Sequence, residues 1–341
     1  MNILILGGSR FIGRHLTLQA LAAGHKVMLF NRGKSWPEAP VRQLHGDLSE
    51  LKTFAQAFKD FQPDAVIHCI CSTPEQARDF VDTFKPMLCQ KVVLSSMDCY
   101  AAFQHLVRGE PVNSWPVTED SPTASEAFYW RETEKDSDTP LHPVDYDKNQ
   151  VTDLVLSGLN DVTVYRLPMV YGPHDRQYAF RHGPVIQHLL HQQPLYLSEG
   201  EQLKIWTFGY VENIAAAILH GLKFSQQKPR PRNIYNLGEL QVRPWKQWIQ
   251  TFYDQAGLTP DIRTLPRDWQ SESATVDHFI ADSRAFVRDT GFVPPVDFET
   301  AVKRTLDYAR DHQDQLGPLP DFDLQAGTWD NYLRTLNTCR D

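Results

Sequence analysis

The sequence predicts an α/β protein in which a parallel, doubly wound sheet is followed by a smaller α/β carboxyl-terminal lobe. Apolar runs of strand length alternate with helical patterns through the first half of the chain, and the first run leads directly into a glycine-rich turn. This alternation is typical of a parallel sheet with right-handed crossovers. The chain of 341 residues also exceeds the size at which a single hydrophobic core usually keeps growing, which favours a second lobe and a cleft.

Each element in the first third of the chain is predicted from its own pattern. Continuous or alternating apolar runs predict strands, and apolar residues at intervals of three and four predict helices. The strands are expected at 2–6, 26–30, 65–70 and 91–95, and the helices at 10–23, 51–61 and 74–87. Residues 101–144 are polar and contain several prolines, so a long surface loop is expected there, of the kind that lines binding sites.

The remaining sequence predicts a return to the sheet and then the second lobe. A helix over 146–158 and a strand over 162–167 complete an expected first domain of residues 1–172. From residue 173 onward prolines, histidines and aromatic residues become more frequent, and we assign 173–341 mainly to the smaller lobe, which is expected to hold a substrate. A helix over 211–222 and a strand over 233–237 are expected to rejoin the sheet, within a stretch near 206–238.

Composition and charge disfavour several classes of protein. No run of about 18 apolar residues is present, so no membrane partner is expected. The amino end lacks the pattern of a signal peptide, which predicts a cytoplasmic location. The formal net charge of −8 disfavours a nucleic-acid partner. The five cysteines lack zinc-ligand spacing and are expected to be reduced core residues, and the histidines near 182–191 lack supporting carboxylates, so no metal is expected.

A glycine-rich segment directly after the first strand predicts a dinucleotide-binding site of the Rossmann type. In this segment, GGSRFIG, Gly7 allows a sharp turn and Gly13 allows the following helix to pack closely on the strand. Backbone N–H groups at the start of that helix attract a pyrophosphate. The context of strand, turn and helix distinguishes the motif from an ordinary glycine turn. The residues expected to contact the cofactor here are Gly7, Ser9, Arg10, Phe11, Ile12 and Gly13.

The same segment resembles the opening of the extended short-chain dehydrogenase/reductase family, which includes NAD-dependent epimerases and dehydratases. Arg10 stands where the middle glycine of that family is usual. The likeness continues in family order to about residue 310, through GDL at 46–48, VVLSSMDCY at 92–100, RLPMVYGP at 166–173 and YVENIA at 210–215. The resemblance implies a nicotinamide dinucleotide as cofactor, contacts near its adenine from Asp47 with Leu48 beside it, and pairing of two copies as a homodimer through a four-helix interface.

The residues after the second strand bear on the choice between the two nicotinamide cofactors. NAD-binding proteins of this shape place an acidic residue there to bind the ribose 2′-hydroxyl, whereas the 2′-phosphate of NADP needs positive charge. Here the strand ends in Asn31 and Arg32, and the guanidinium groups of Arg32 and Arg10 suit a phosphate. We therefore predict NADP. NAD is the alternative, in which Arg32 is a solvated turn residue and Arg10 stacks on the adenine.

The catalytic residues that the resemblance implies match this sequence only in part. In that family a serine orients the reacting oxygen, a tyrosine exchanges the proton, and a lysine four positions later lowers the pKa of the tyrosine. Ser96 and Tyr146 occupy the first two positions. Gln150 stands at the lysine position, and Lys148 follows the tyrosine by only two residues. On a regular helix, a residue at the second position points nearly away from the tyrosine.

Three explanations of this mismatch stay open. Tyr146 can precede the first regular helical turn, with Asp145 near the cap, so that an altered backbone brings Lys148 to the cofactor. Another group, such as Asp98 or a histidine, can transfer the proton instead. In both cases the chain is an NAD(P)-dependent oxidoreductase or epimerase/dehydratase acting on a hydroxyl or carbonyl carbon, with Ser96 orienting the oxygen. In the third explanation, the chain binds a dinucleotide without catalysing a reaction and acts as a regulator or an RNA-associated protein.

The substrate is expected to be a small molecule. Met169 stands where nucleotide-sugar enzymes of the family usually carry an asparagine that contacts the substrate, which argues against an ordinary UDP-sugar epimerase. Aromatic and basic residues of the second lobe suit a hydrophobic or carboxylated substrate, although tryptophans at helical spacing are equally typical of a core. These residues are Trp206, Phe208, Trp245, Trp248, Trp269, His174, Arg176, Arg181 and His182.

Overall fold

A seven-stranded parallel sheet forms the centre of the protein. The computed structural model describes residues 1–33, 41–112, 115–129, 142–175, 179–264 and 278–316. The strands of the sheet are β1 (Asn2–Leu6), β2 (Lys26–Asn31), β3 (Arg42–His45), β4 (Ala65–His68), β5 (Gln90–Ser96), β6 (Val162–Leu167) and β10 (Ile234–Asn236). Their spatial order is β10-β6-β5-β4-β1-β2-β3, and every pairing is parallel. This order confirms the predicted fold class.

Helices cover both faces of this sheet. The helices are α1 (Phe11–Ala22), α2 (Ala55–Phe61), α3 (Pro74–Phe84), α4 (Ala101–Val107), α5 (Lys148–Gly158), α6 (Ala179–Leu190), α7 (Glu199–Leu203), α8 (Val211–Gln227), α9 (Trp245–Ala256), α10 (Arg284–Thr290) and α11 (Phe298–Asp311). Successive side chains of β1 enter two different cores, as the period of a strand requires. Ile3 and Ile5 belong to the cluster with α1 and α8, whereas Leu4 and Leu6 belong to the cluster with α3 and α5.

Two short parallel sheets lie beyond the main one. β7 (Met169–Tyr171) pairs with β9 (Phe208–Tyr210), and β8 (Leu195–Leu197) pairs with β11 (Ile262–Thr264). After residue 173 the chain returns twice, because β10 pairs with β6 and α8 packs against α1. A cluster of buried apolar residues runs from β1 to α11 through both parts of the chain. The domain boundary at residue 172 stays a prediction.

The structure differs from the sequence predictions at three places. β3 was not predicted, because this edge strand is only half-buried and carries no run of apolar residues. The predicted loop over 101–144 begins with α4, and two isolated bridges, Tyr100 with Thr123 and Val117 with Ala281, attach its later part. The helix predicted from residue 146 begins at Lys148 instead. Of the described helices, none is both long enough and apolar enough to cross a lipid bilayer.

Candidate dinucleotide and active site

All of the predicted catalytic and cofactor-binding residues line one cavity of about 1050 Å³, which we call the main cavity. It lies at the carboxyl ends of the parallel strands, where ligands of doubly wound sheets bind. The predicted residues in its wall are Gly7, Ser9, Arg10, Phe11, Ile12, Gly13, Asn31, Arg32, Asp47, Leu48, Ser96, Tyr146 and Lys148. The fold therefore brings together side chains from both ends of the first 150 residues.

The glycine turn between β1 and α1 tolerates no side chain at its closest approach. Gly7 has a φ of +86°, a conformation that favours glycine. A Cβ on Gly13 would lie 2.2 Å from the carbonyl oxygen of Gly7 and 2.8 Å from the Cα of Gly8. Thr17 reinforces this contact, since its hydroxyl donates hydrogen bonds to the carbonyls of Gly8 and Gly13 at 2.9 and 2.8 Å. The start of α1 is thus held against the turn, in the geometry that binds a pyrophosphate.

The end of β2 provides polar groups that suit the adenosine half of a dinucleotide. The Oδ1 atom of Asn31 accepts a hydrogen bond from the Gly33 N–H at 2.8 Å, while its buried Nδ2 has no partner in the described part of the chain. Arg10 and Arg32 are exposed at the wall of the cavity. Hydrogen bonds from Ser49 to Asp47, and secondarily the charge of Arg32, hold the pKa of the Asp47 carboxyl below its usual range. A buried donor without a partner beside a glycine turn fits a bound dinucleotide.

Tyr146 lies outside the helix that the sequence predicted for it. Asp147 is the N-cap of α5, and its side chain accepts a hydrogen bond from the Gln150 N–H at 2.8 Å. Asp145 lies two positions before this cap, and the carboxylate that reaches the third N–H of the helix is that of Asp147. Since Tyr146 precedes the cap, regular helical spacing does not relate it to Lys148. Both residues line the main cavity, whereas Gln150 is exposed and does not.

The phenol of Tyr146 is hydrogen-bonded to a carboxyl group. Its hydroxyl donates a hydrogen bond to Oδ2 of Asp98 at 2.7 Å. The Asp98 N–H in turn donates to the hydroxyl oxygen of Ser96 at 3.3 Å. Burial raises the pKa of Asp98, while the hydrogen bonds from Tyr146 and Ser96 and the charge of Lys148 act in the opposite direction. The sequence offered Asp98 only as one of several proton-transfer groups, and the structure places it in contact with the predicted tyrosine.

Lys148 connects β5 to the loop after β4 beside that pair. Its ammonium group donates hydrogen bonds to the carbonyls of Cys71 at 2.6 Å and Leu94 at 3.2 Å. It also lies 5.7 Å from the centre of the Tyr146 ring. Burial lowers the pKa of Lys148, and the charge of Asp98 opposes this shift. The altered backbone before α5 thus brings a lysine to the tyrosine, although its catalytic role stays a prediction.

Aromatic side chains also line the main cavity, and two of them, Phe103 and Phe279, were not singled out by the sequence. Phe103 of α4 and Phe279 have ring centres 5.2 Å apart, and Trp206 lies 6.0 Å from Phe103 and 6.2 Å from Phe279. His142 also lines the cavity, with its ring 4.7 Å from that of Tyr146. Sequence reasoning missed Phe103 because it lies in the predicted loop, and Phe279 because no motif surrounds it.

Most of the other residues proposed for an aromatic substrate pocket do not line the main cavity. His182, Phe208, Trp245 and Trp248 pack together, with ring centres 5.1 Å apart for His182 and Trp248 and 4.8 Å for Phe208 and Trp248. Trp248 is fully buried, because the apolar face of α9 packs on the core. Trp206 is the one member of the predicted set that the cavity wall contains among the described residues. Outside the described residues lie Arg176 and Trp269, and the side chain of Arg181.

The cysteines and histidines show no metal-site geometry in the described ranges. Cys69, Cys71, Cys89 and Cys99 are free thiols, and Cys339 lies outside those ranges. Burial raises the pKa of Cys69 and Cys71 to about 12, which keeps both protonated. Among the described residues, no group of three or more His, Cys, Asp or Glu side chains is arranged to hold a metal ion.

The fold and the site together define a Rossmann-type dinucleotide-binding protein, and comparison with known proteins gives its family. The model of the NAD dependent epimerase/dehydratase family matches residues 3–238. The chain belongs to that family, which confirms the resemblance seen in its motifs and, at the level of the family, the prediction of an NAD-dependent enzyme. The cofactor, substrate and catalytic residues of this particular chain are taken up below.

Individual relatives are more distant. The human "sterol-4-alpha-carboxylate 3-dehydrogenase, decarboxylating" is 25% identical over 225 residues, which cover 62% of this chain and 54% of the relative. The match thus spans about half the length of that protein. Among solved structures, the Bordetella bronchiseptica enzyme WbmG in complex with NAD has a TM-score of 0.67 at 18% identity and covers 92% of this chain and 94% of its own. The dTDP-glucose 4,6-dehydratase of Bacillus anthracis in complex with NAD has the same score and identity, with coverages of 92% and 98%. These structures share the fold.

Proposed function

We propose that this chain is an oxidoreductase or epimerase/dehydratase that uses NADP, with NAD as the alternative, and acts on a hydroxyl or carbonyl carbon of a small substrate. The observation that carries the proposal is the hydrogen bond from the Tyr146 hydroxyl to Asp98, in the same cavity as the glycine turn. A tyrosine and a carboxyl in contact, with a serine and a lysine beside them, form a constellation suited to moving a proton.

The residues that would hold the cofactor are those of the glycine turn and the end of β2. Gly7 and Gly13 let the backbone approach the pyrophosphate, and Asn31 donates toward the adenosine half. Arg10 and Arg32 favour a 2′-phosphate, because both guanidinium groups are exposed where that phosphate would lie. When bound, the nicotinamide supplies the oxidation and reduction of the substrate carbon.

The side chains at the other end of the main cavity handle the proton. Ser96 orients the reacting oxygen, and the Tyr146 hydroxyl exchanges a proton with it. Asp98 accepts that proton from Tyr146 when the substrate is oxidised and returns it when a carbonyl is reduced. Lys148 acts as a positioning residue, because its two hydrogen bonds connect β5 to the loop after β4 beside the tyrosine.

The aromatic part of the wall favours an apolar substrate. Phe103, Trp206 and Phe279 form a continuous aromatic surface, which binds rings and aliphatic bodies better than it binds charged groups. Met169, which also lines the cavity, offers no amide there. We therefore expect an alcohol or ketone with an apolar body, and the name of the human relative, a sterol carboxylate dehydrogenase, makes hydroxylated polycyclic acids a further group to test.

The catalytic assignment is tested with a pair of matched tyrosine variants. Alcohols and ketones of the expected class are screened for oxidation or reduction of the cofactor, and the best substrate is measured with each variant. Tyr146→Phe should lower kcat by about 10²- to 10⁴-fold. Tyr129→Phe is the control, because the Tyr129 hydroxyl donates to the backbone carbonyl of Asp98, at 2.6 Å, where the Tyr146 hydroxyl donates to its carboxyl group. Equal activity of Tyr146→Phe and wild-type protein would refute the assignment and favour a non-catalytic regulator.

The cofactor assignment is tested by calorimetric titration with NADP(H) and NAD(H). Arg32→Ala should weaken NADP binding by about tenfold or more and leave NAD binding nearly unchanged, because only NADP carries the phosphate. Lys59→Ala removes an exposed charge outside the cavity and should change neither affinity. Tighter binding of NAD than of NADP by the wild-type protein would make NAD the cofactor. Binding of neither cofactor, in protein free of copurified nucleotide, would contradict the proposed function.

A further inference from the structure

A second cavity of about 610 Å³ lies beside β9, which contributes Gly209 and Tyr210 to its wall. It is lined by residues from the segments 209–217, 237–243, 283–287 and 292–301, and it shares no residue with the main cavity. We call it the second cavity. Its volume falls within the range of small-molecule sites, roughly 300 to 1,000 Å³. The family motifs and the proposed reaction leave it without a role.

A fixed carboxyl group forms one wall of the second cavity. Glu239 lies directly after the segment NLG, and its side chain is 15% exposed. The Tyr171 hydroxyl donates a hydrogen bond to Oε1 of Glu239 at 2.7 Å. The guanidinium of Arg243 lies 3.6 Å from Oε2. These two contacts orient the carboxyl, and they leave acceptor capacity on both oxygens because an ionised carboxylate can accept about four hydrogen bonds.

A buried hydroxyl without a partner lies in the same wall. Ser283 is 4% exposed, and its Oγ has no hydrogen-bond partner in the described ranges. It occupies the residue before α10, where a serine usually caps the helix, yet it makes no capping hydrogen bond. A Cβ on Gly238 would lie 3.1 Å from this Oγ, so the hydroxyl faces the backbone immediately before Glu239. Such a group is costly to bury unpaired, and a ligand in the cavity would satisfy it.

The basic residue of this wall is already engaged. The guanidinium of Arg243 lies 3.8 Å from the centre of the Phe298 ring and donates hydrogen bonds to the main-chain and side-chain oxygens of Gln241 at 3.1 and 3.0 Å. The other ionisable side chains in the described wall are the acidic Glu239, Asp297 and Glu299, with Tyr210 as the one phenol. The cavity therefore favours a positively charged ligand over an anion.

Apolar side chains also contribute to the second cavity. Phe286 and Phe292 have ring centres 5.7 Å apart, and both are less than one-tenth exposed. Ile214, Ala217 and Val287 also contribute to the wall. An aliphatic or aromatic body would be removed from water against these side chains. The wall thus combines apolar side chains with polar groups that can fix the orientation of a ligand.

We propose that the second cavity binds a small organic amine, whose ammonium group donates hydrogen bonds to Glu239 and Ser283 and whose apolar body packs against Phe286 and Phe292. The ammonium supplies a donor to the unpaired hydroxyl oxygen and a positive charge beside the acidic side chains. The site is independent of the proposed reaction, because it shares no residue with the main cavity.

The test uses the full-length chain and three probes of matched shape. They are 2-phenylethylammonium, the neutral 2-phenylethanol and the anion 3-phenylpropionate, titrated by calorimetry up to millimolar concentrations. We expect the ammonium to bind most tightly. Glu239→Gln should weaken its binding by about tenfold or more, and Ser283→Ala by about three- to tenfold. Glu299→Gln removes the same charge from an exposed position of the wall and should change the affinity by less than about threefold.

Thermal unfolding and dinucleotide titration of each variant show that its fold and main cavity are intact. Three results would overturn the proposal. The first is tighter binding of 3-phenylpropionate than of the ammonium, and the second is the absence of measurable binding by any probe. The third is ammonium binding that survives Glu239→Gln but is lost in Asp98→Asn, since that pattern assigns the probe to the main cavity.

Discussion

Replacing Gly13 by alanine should disrupt dinucleotide binding through a backbone collision. The new Cβ would lie 2.2 Å from the Gly7 carbonyl oxygen, about 0.8 Å inside the 3.0 Å below which real Cβ contacts are essentially never found. Both collision partners are backbone atoms, so the turn and the start of α1 must separate by a similar distance. Overpacking of this kind costs about 1–3 kcal/mol of stability. A displacement of this size also misaligns the N–H groups that face the pyrophosphate.

The misaligned N–H groups would lose two charge-assisted hydrogen bonds to the pyrophosphate. At about 1.5 kcal/mol or more each, this loss weakens dinucleotide binding by about 100-fold or more. The assay is calorimetric titration with NADP and NAD, accompanied by urea denaturation of the free protein. Gly24→Ala is the matched control near the other end of α1. Gly24 has a φ of +76° with open space around it, so alanine there costs about 1–2 kcal/mol of stability and leaves affinity unchanged. Affinity of Gly13→Ala within about threefold of wild type would refute the reasoning.

Three further predictions concern acidic groups and the core. Asp98→Asn should lower kcat by about 10²- to 10⁴-fold. Catalysis in the oxidation direction needs the carboxylate, so the wild-type rate should fall as the pH drops through the raised pKa of Asp98. The pH–rate profile of the variant should lack this fall. Gly221→Ala places a Cβ 2.0 Å from the hydroxyl of the buried Tyr165. This collision should lower the free energy of unfolding, measured by urea denaturation, by about 1–3 kcal/mol. An unchanged urea midpoint of unfolding would contradict this prediction. Burial raises the pKa of Glu239 from its ordinary 4.5 to about 7, against the opposing hydrogen bond from Tyr171 and charge of Arg243. Its contribution to stability is therefore fully present below pH 4.5 and is lost as pH rises through about 7. Glu239→Gln should flatten the dependence of Tm on pH across this range, and parallel profiles for variant and wild type would show that Glu239 does not titrate there.

The sequence by itself determined the features that depend on neighbouring residues. The succession of β1, the glycine turn and α1 follows from the spacing of apolar residues and from the absence of side chains at Gly7 and Gly13. Both are local features of the sequence. The family follows from motifs that keep their order along the chain. Ser96 and Tyr146 were predicted as site residues from the resemblance to the catalytic pattern of the family, and the fold places both in one cavity.

Only the tertiary structure decided which groups touch within that cavity. Tyr146 and Asp98 are 48 residues apart, and Lys148 reaches carbonyls 54 and 77 residues away. Such distances are set by the register of parallel strands and by where α5 begins, and the cap at Asp147 moved that start by two residues from the predicted one.

The second cavity is a further feature that the sequence alone does not predict. Glu239 and Ser283 lie 44 positions apart in segments without a shared motif, and neither residue type is unusual in its own segment. Local sequence patterns report which face of a helix or strand is apolar, because that depends on neighbours at fixed spacing. They cannot predict that a hydroxyl will lack a hydrogen-bond partner, because this happens only when separate elements pack around the hydroxyl and bury it.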